Sequence, residues 1–379
     1  MPGPMEHKVI LLARVDAKLN PYIHLFAQAL RREGLVAEVS ERISPGWSPA
    51  AGVTVLHLHW AESLYGVRGP SSWRSYWVRR AWCNRVIAPL RSFSRLCFNL
   101  LAIAVYRLRG VWLVYTVHNL EPHSDGTSDR LLHELATWSL VRLVDRVHVH
   151  SEAAGDIVKS KYGRKDGIVV IPLGNFIDYY PRGISKSEAR QRLNIASGLS
   201  LFLFLGLVRQ YKGLEELIPA FLGLDAGSDD KLLLIVGAAP DKKYEAGIAE
   251  IVGSQPNIKF RSGYVPDEML QVFLAASDVV VFPYRAATTS AGAVMALSYG
   301  RPIIGPVSPA FSHLVTEQTG VLYDPSVPGA LTAALRTGAD RTWDEESILE
   351  FAHRFDWHKL GPSLRALYDR ASEGRGLSS

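Results

Sequence analysis

Short apolar runs alternate along this chain with stretches whose apolar residues recur at helical spacing. Residues 8–13, 35–40 and 53–59 are strand-length runs. Residues 20–33 place Ile23, Phe26, Ala27 and Leu30 on one helical face, and Gly34 closes that face. Runs at 112–118, 146–150 and 168–171 predict further strands, with a helix over 129–144. After "IPLGN" at 171–175 the alternation lapses and then restarts. Strands are predicted at 201–205, 231–236, 258–260, 279–282 and 302–304, separated by helices at 213–224, 243–252, 266–275 and 291–299. A last helix falls within 345–371. Strand–helix alternation builds parallel sheets covered on both faces. The pattern therefore predicts an α/β chain of two doubly wound, Rossmann-like domains, residues 1–184 and 185–344. Ligands of such sheets bind beyond the carboxyl ends of the strands, so two of them facing one another would make a central cleft.

Composition changes this picture in one place. The chain has 379 residues, 47% hydrophobic and 21% charged, which suits two folded domains. Its two cysteines, Cys83 and Cys97, cannot form a disulfide framework and suggest a reducing compartment. No signal peptide is read at the start, and no apolar run is long enough to span a bilayer. The net charge of +5 conceals an asymmetry, because no acidic residue lies between Glu62 and Glu121. Within that interval, segment 68–109 carries Arg68, Arg74, Arg79, Arg80, Arg85, Arg91, Arg95, Arg107 and Arg109, interleaved with aromatic residues. Arginine and aromatic residues at helical spacing suit an anionic membrane surface. Single-stranded nucleic acid and a buried interdomain face are the rivals. The membrane reading predicts a cytoplasmic protein peripheral on the inner face of the cell membrane, with no nucleic-acid partner.

Candidate chemistry gathers where strands end. In "GLVRQYKGLEELIPAF", Arg209 and Lys212 lie between a strand and a helix, a placement that fits a diphosphate. "YRAATTSAGAVMALSYGRPIIG" brings Tyr284, Arg285, Thr289, Ser290 and Gly292 to a helix start. There the backbone N–H groups could meet an anion, or Ser290 could simply cap the helix. In the first half, "TVHNLEPHSD" crowds His118, Asn119, His123 and Asp125 at a strand end. "HLHWAE" ends a second strand with His57 and His59 on one face, followed by Glu62. A metal held by His57 and His59 lacks a clear third ligand, and no metal is expected. No nicotinamide, flavin or Walker fingerprint follows any strand.

These pieces, with "KLLLIVGAAP", "IKFRSGYVPDEMLQVFLAASDVVVFPY", "GVLYDP" and "FDWHKLGPSLRALYDR", resemble the GT-B glycosyltransferases related to glycosyltransferase family four. "NPYIHLFAQALRREG", "TVHNLEPHS" and "VHVHSEAA" extend the resemblance into the first half. It implies a nucleotide-diphosphate sugar as co-substrate, with no other cofactor. It also implies a base pocket at Gly263 and Tyr264, acceptor contacts at Asn20 and Asn119, and a segment 345–379 that crosses back to the first domain. The family's two glutamates of the phosphate loop and helix are replaced here by Ala287 and Met295. Tyr284, Arg285 and Ser290 instead match a pattern found among bacterial exopolysaccharide transferases. The expected function is metal-independent transfer of a hexose, from a GDP- or UDP-linked donor to a saccharide or lipid-linked acceptor, in polysaccharide or glycolipid synthesis. Asp125, His123, His118 and Glu62 are the candidate bases. The alternatives are a sugar-nucleotide 2-epimerase and a non-catalytic, membrane-associated sugar-nucleotide binder.

Overall fold

The computed structural model describes residues 8–13, 21–44, 46–66, 81–120, 127–224, 230–253 and 255–369. Of residues 81–88 and 127–129 it describes only the backbone. The chain divides into two compact units, one of residues 1–172 with 357–379 and the other of residues 173–356.

The first unit begins with β1 (Lys8–Leu12), α1 (Tyr22–Arg32), β2 (Val36–Ser40), β3 (Val53–His59) and the short α2 (Glu62–Tyr65). It continues with α3 (Ala81–Leu108), β4 (Trp112–Thr116), α4 (Thr127–Leu143), β5 (Arg146–Val149), α5 (Glu152–Tyr162) and β6 (Ile168–Val170). Its described strands form one parallel sheet in the order β2-β1-β3-β4-β5-β6. β3 is buried at every position because the sheet is covered on both faces. Leu56, Leu58, Leu113, Tyr115 and Val147 share a core with Leu96, Ile103 and Tyr106 of α3 and Leu140 of α4. On α3, Leu96, Asn99, Ile103 and Tyr106 recur at helical spacing and face inward.

The second unit runs through α6 (Lys186–Leu193), β7 (Ser200–Leu205), α7 (Leu214–Leu222), β8 (Lys231–Gly237), α8 (Lys242–Val252) and β9 (Ile258–Ser262). It then runs through α9 (Asp267–Ala276), β10 (Val279–Val281), α10 (Ala291–Ser298), β11 (Ile303–Pro306), β12 (Gly320–Tyr323), α11 (Ala330–Asp340) and α12 (Glu345–Ala352). Its described strands pair in parallel in the order β12-β11-β10-β7-β8-β9. Counted from β7, this is the strand order of the dinucleotide-binding fold. The order reverses between β7 and β10, and ligands of such sheets sit at that switch point.

The chain leaves the second unit through α12 and a 3-10 turn at His353–Phe355, then rejoins the first unit as α13 (Trp357–Ala366). The sequence pattern reads 345–371 as one helix, but the helix breaks before Trp357. Asn175 of "IPLGN" lies behind the break: its Nδ2 donates to Ala352 O at 2.9 Å and to Asp356 Oδ1 at 2.5 Å. Within the first unit, α13 packs on α1, and Arg365 donates to Glu33 O at 2.6 Å. The division thus falls at 172/173 and 356/357, not at the 184/185 and 344/345 read from the sequence. The loop after Pro172 is tied to the end of α12, so both join the second unit.

Candidate active site

The switch point of the second unit brings two loops together. The first, after β7, carries Arg209 and Lys212, and the second, after β10, carries Tyr284 to Ser290. Gly213 caps α7 with φ +69°, and a Cβ there would lie 1.9 Å from Pro283 O. Only glycine permits so close a contact in that conformation. Arg285 N–H donates to Tyr211 O at 2.9 Å and fixes the register of the two loops.

Aromatic rings fill the space behind them. Phe282, Tyr284 and Phe311 pack with centroids 5.5–5.7 Å apart. The half-buried Lys212 sets its Nζ 3.4 Å from the centroid of the Tyr284 ring. Burial pushes the Lys212 ammonium well below the usual lysine range, and neighbouring Arg209 pushes it the same way. A ring face offers part of what a counter-ion would supply, and among the described residues no carboxylate pairs with Lys212. The two residues predicted as a diphosphate clamp therefore lie side by side at the switch point, where the charge of Arg209 disfavours that of Lys212 until an anion joins them.

Other residues of this cluster are placed differently. Arg285, expected beside the donor, is held by α7: its Nε donates to Glu216 Oε1 at 2.7 Å, and Glu215 Oε2 lies 3.6 Å from its guanidinium. Its charge is already answered. Ser290 caps α10, its Oγ accepting from Ala293 N–H at 3.2 Å. Thr289 Oγ1 is buried without a hydrogen-bond partner among the described residues. The first-turn N–H groups of Ala291 and Gly292 have no acceptor within their own helix. Gly292 has ordinary backbone angles, and a Cβ there would meet Phe282 Cε1 at 3.1 Å. Its small size serves the packing of Phe282. Gly263 follows β9 with φ +144° and open space around it, and Tyr264 beside it is exposed.

In the first unit the carboxyl ends of β3, β4 and β5 gather histidines. His57, His59, His118, His148 and His150 are all buried. His57 Nδ1 pairs with Tyr368 Oη at 2.8 Å and its Nε2 with Thr116 Oγ1 at 2.7 Å. Thr116 Oγ1 continues to His148 Nδ1 at 2.9 Å, and His148 Nε2 to Ile171 O at 2.9 Å. His150 Nδ1 also meets Ile171 O, at 3.1 Å; its Nε2 lies 3.4 Å from His118 Nδ1. His118 Nε2 in turn lies 3.2 Å from His59 Nδ1. Both nitrogens of the candidate base His118 are thus occupied, and its ring stacks on Trp60 at 4.3 Å. Burial pushes His57, His59 and His148 down, with the other histidines adding to the effect on the first two; His148 falls to about 4. Among the described residues no group of three or more His, Cys, Asp or Glu is arranged to hold a metal.

The candidate base Glu62 lies 3.4 Å from Nδ1 of buried His133. Burial raises its carboxyl, partly offset by His133. His133 Nε2 meets Asn119 O at 3.3 Å. Asn119 therefore enters through its backbone as a fixed point of the strand-end loop. Asn20, His123 and Asp125 lie outside the described residues, as do 68–80 of the basic segment.

Residues 200–340 match the family described as Glycosyl transferases group 1. The D-inositol 3-phosphate glycosyltransferase of Corynebacterium glutamicum is 27% identical over 289 residues, 70% of this chain and 68% of that protein. The GDP-mannose:glycolipid 4-beta-D-mannosyltransferase of Xanthomonas campestris is 25% identical over 286 residues, 75% of this chain and 70% of that protein. Among solved structures, Anabaena Alr3699/HepE in complex with UDP and glucose superposes with a TM-score of 0.66 at 16% identity, covering 95% of this chain and 98% of that one. Sucrose-phosphate synthase from Thermosynechococcus elongatus superposes with a TM-score of 0.70 at 18% identity, covering 96% and 98%. None of these relatives supports the epimerase alternative. The chain has the GT-B fold of these glycosyltransferases, and its second unit carries the match to Glycosyl transferases group 1.

Proposed function

We propose that the second unit binds a GDP- or UDP-linked hexose by its diphosphate and that the chain transfers the hexose to a saccharide or lipid-linked acceptor. The observation that carries this reading is Lys212, half-buried at the switch point beside Arg209 and balanced by a ring face. A diphosphate supplies the missing negative charge. Thr289 Oγ1 and the first-turn N–H groups of α10 add donors from the facing loop. As the sugar leaves, charge builds on the diphosphate. Fixed cations there stabilise the transition state more than the ground state, so the reading requires no metal. Arg285 is left out of the clamp because Glu215 and Glu216 neutralise it. Ala287 and Met295 stand where a carboxylate could have held the ribose or sugar, so the donor is gripped mainly by its phosphates and its base, the latter beside Gly263 and Tyr264.

The acceptor reading draws on the first unit. α3 exposes Leu90, Phe93, Phe98, Leu101 and Leu108, and α4, which packs on it, exposes Leu131, Leu135 and Trp138. Leu90, Cys97, Leu101 and Leu108 fall on one helical stripe, and Arg91 and Arg109 line one side of it. Arg142 lies 4.0 Å over the Trp138 ring. An apolar stripe bordered by arginine, in a segment free of acidic residues, fits an anionic lipid surface, where each cation near the surface contributes about 1 kcal/mol. Among the described residues no helix is long and apolar enough to cross a membrane. A lipid-linked acceptor presented at that surface, in polysaccharide or glycolipid synthesis, accounts for the face.

A thermal-shift panel of UDP, GDP, their sugars and the bare nucleosides tests the donor reading. Ligand at 100 times its Kd stabilises by about 2.7 kcal/mol. Diphosphates that raise the melting temperature no more than nucleosides would contradict the reading. Co-sedimentation with vesicles tests the surface: binding is expected to rise with anionic lipid and fall with salt. Leu101→Glu is expected to abolish it.

A further inference from the structure

The hydrogen bonds of the buried histidines determine their tautomers. Ile171 O can only accept, so His148 Nε2 and His150 Nδ1 both donate to it. A neutral His148 then accepts at Nδ1 from Thr116 O–H. Thr116 Oγ1 accepts from His57 Nε2–H, and His57 Nδ1 accepts from Tyr368 O–H. This branch is complete at both ends. In the other branch His150 Nε2 accepts from His118 Nδ1–H, and His118 Nε2 accepts from His59 Nδ1–H. One lone pair is then left over, at His59 Nε2. That atom is buried and has no hydrogen-bond partner among the described residues, on a side chain with no exposure at all. A buried acceptor in that state calls for a donor.

The neighbourhood indicates the donor's chemistry. Trp60 follows His59 with φ +59°, a left-handed conformation that a bulky aromatic residue rarely adopts. Strain of this kind concentrates at binding sites. The strained residue is only half-buried, and its indole lies beside His59 at 5.8 Å. The titratable groups around His59 are Tyr22 of α1, His57 on its own strand and His118 after β4, with His148 and His150 further along the network and the apolar rings of Phe26 and Trp60 beside them. An uncharged aromatic face next to a bare imidazole lone pair suits a saccharide, whose C–H faces pack on rings while its hydroxyls donate. We propose that the first unit holds a saccharide hydroxyl at His59 Nε2 with the sugar against Trp60, and that His59, not His118, is the acceptor-side contact. This rests on the transferase reading above only in naming the sugar as acceptor.

The test uses the full chain labelled with 15N-histidine and 15N-tryptophan. Two-bond 15N–1H correlation is expected to show His59, His118 and His150 protonated on Nδ1, and His57 and His148 protonated on Nε2. Methyl α-D-glucopyranoside is then titrated in. The His59 Nε2 resonance and the Trp60 indole N–H are expected to move together, and Trp60→Ala is expected to remove the response. A proton on His59 Nε2 in the free protein would overturn the proposal. So would a His59 signal that ignores the sugar, the mark of a lone pair met by bound water. UDP and GDP are added to the same sample: if they fail to bind, the transferase reading fails while the sugar response stands or falls separately.

Discussion

The two units are built on the same plan, six described strands in one parallel sheet with polar residues gathered at the strand ends, yet those ends handle polarity in opposite ways. The first unit buries imidazoles that hydrogen-bond to one another and leaves His59 Nε2 without a partner among the described residues. The second sets Lys212 on a ring face beside Arg209, with no carboxylate paired to Lys212 among the described residues. An acceptor-ended network suits an uncharged ligand that donates hydrogen bonds. A lysine held on a ring face without a carboxylate suits an anion. Equivalent scaffolds thus present different chemistry because of a handful of residues at their strand ends.

The largest effect that separates the units is expected from Gly237→Val. A Cβ at Gly237 would lie 1.8 Å from Gly206 O, at φ +151°. The backbone of the donor loop cannot yield that space, so the substitution is expected to cost more than about 4 kcal/mol. Urea titration followed by limited proteolysis should find the second unit lost first. A variant as stable as the parent would show that the β7 and β8 ends are not packed as described.

Acid strikes the other unit. A histidine whose folded pKa is lowered binds fewer protons folded than unfolded, so its contribution to stability is present above about 6.5 and lost as pH falls. For His148 the window runs from about 6.5 down to about 4, and the loss is on the order of 3 kcal/mol. His57 and His59 act with the same sign. The melting temperature of the first unit is expected to fall steeply over that window, and His148→Gln should flatten the fall. Equal loss from both units would contradict the division of labour.

A smaller effect is expected at Gly292. Alanine there brings its Cβ to 3.1 Å from the Phe282 ring, a tight contact that costs about 1 kcal/mol if Phe282 yields by a few tenths of an ångström. Thermal unfolding checks this. Loss of nucleotide binding with unchanged stability would instead return Gly292 to a direct role at the phosphate.

The strand–helix alternation was legible because doubly covered parallel strands leave unbroken apolar runs, as in 201–205 and 231–236. β12 was missed as a strand, since "GVLY" is short and half-polar at its borders, and the break before α13 depends on Asn175 from far upstream. At the switch point of the second unit the sequence placed Arg209 and Lys212 on one loop, as the structure does. It could not show that Arg285 belongs to Glu215 and Glu216, because that pairing is made by the switch point itself. The period-two spacing of His57 and His59 was visible, and "VHVHS" repeats it. That the two pairs meet through Thr116 and His118 follows only from β3, β4 and β5 lying side by side.

The central claim is that Lys212 and Arg209 are held ready for a diphosphate. Calorimetric titration of UDP and uridine, or GDP and guanosine, into the parent and Lys212→Met tests it most directly. Methionine keeps the apolar stem over Tyr284 and removes the charge. The account predicts that the substitution weakens the nucleoside diphosphate by about 10- to 150-fold, roughly 1.5–3 kcal/mol for one charge-assisted contact, and leaves the nucleoside unchanged. Equal affinities of parent and variant for the diphosphate would contradict it.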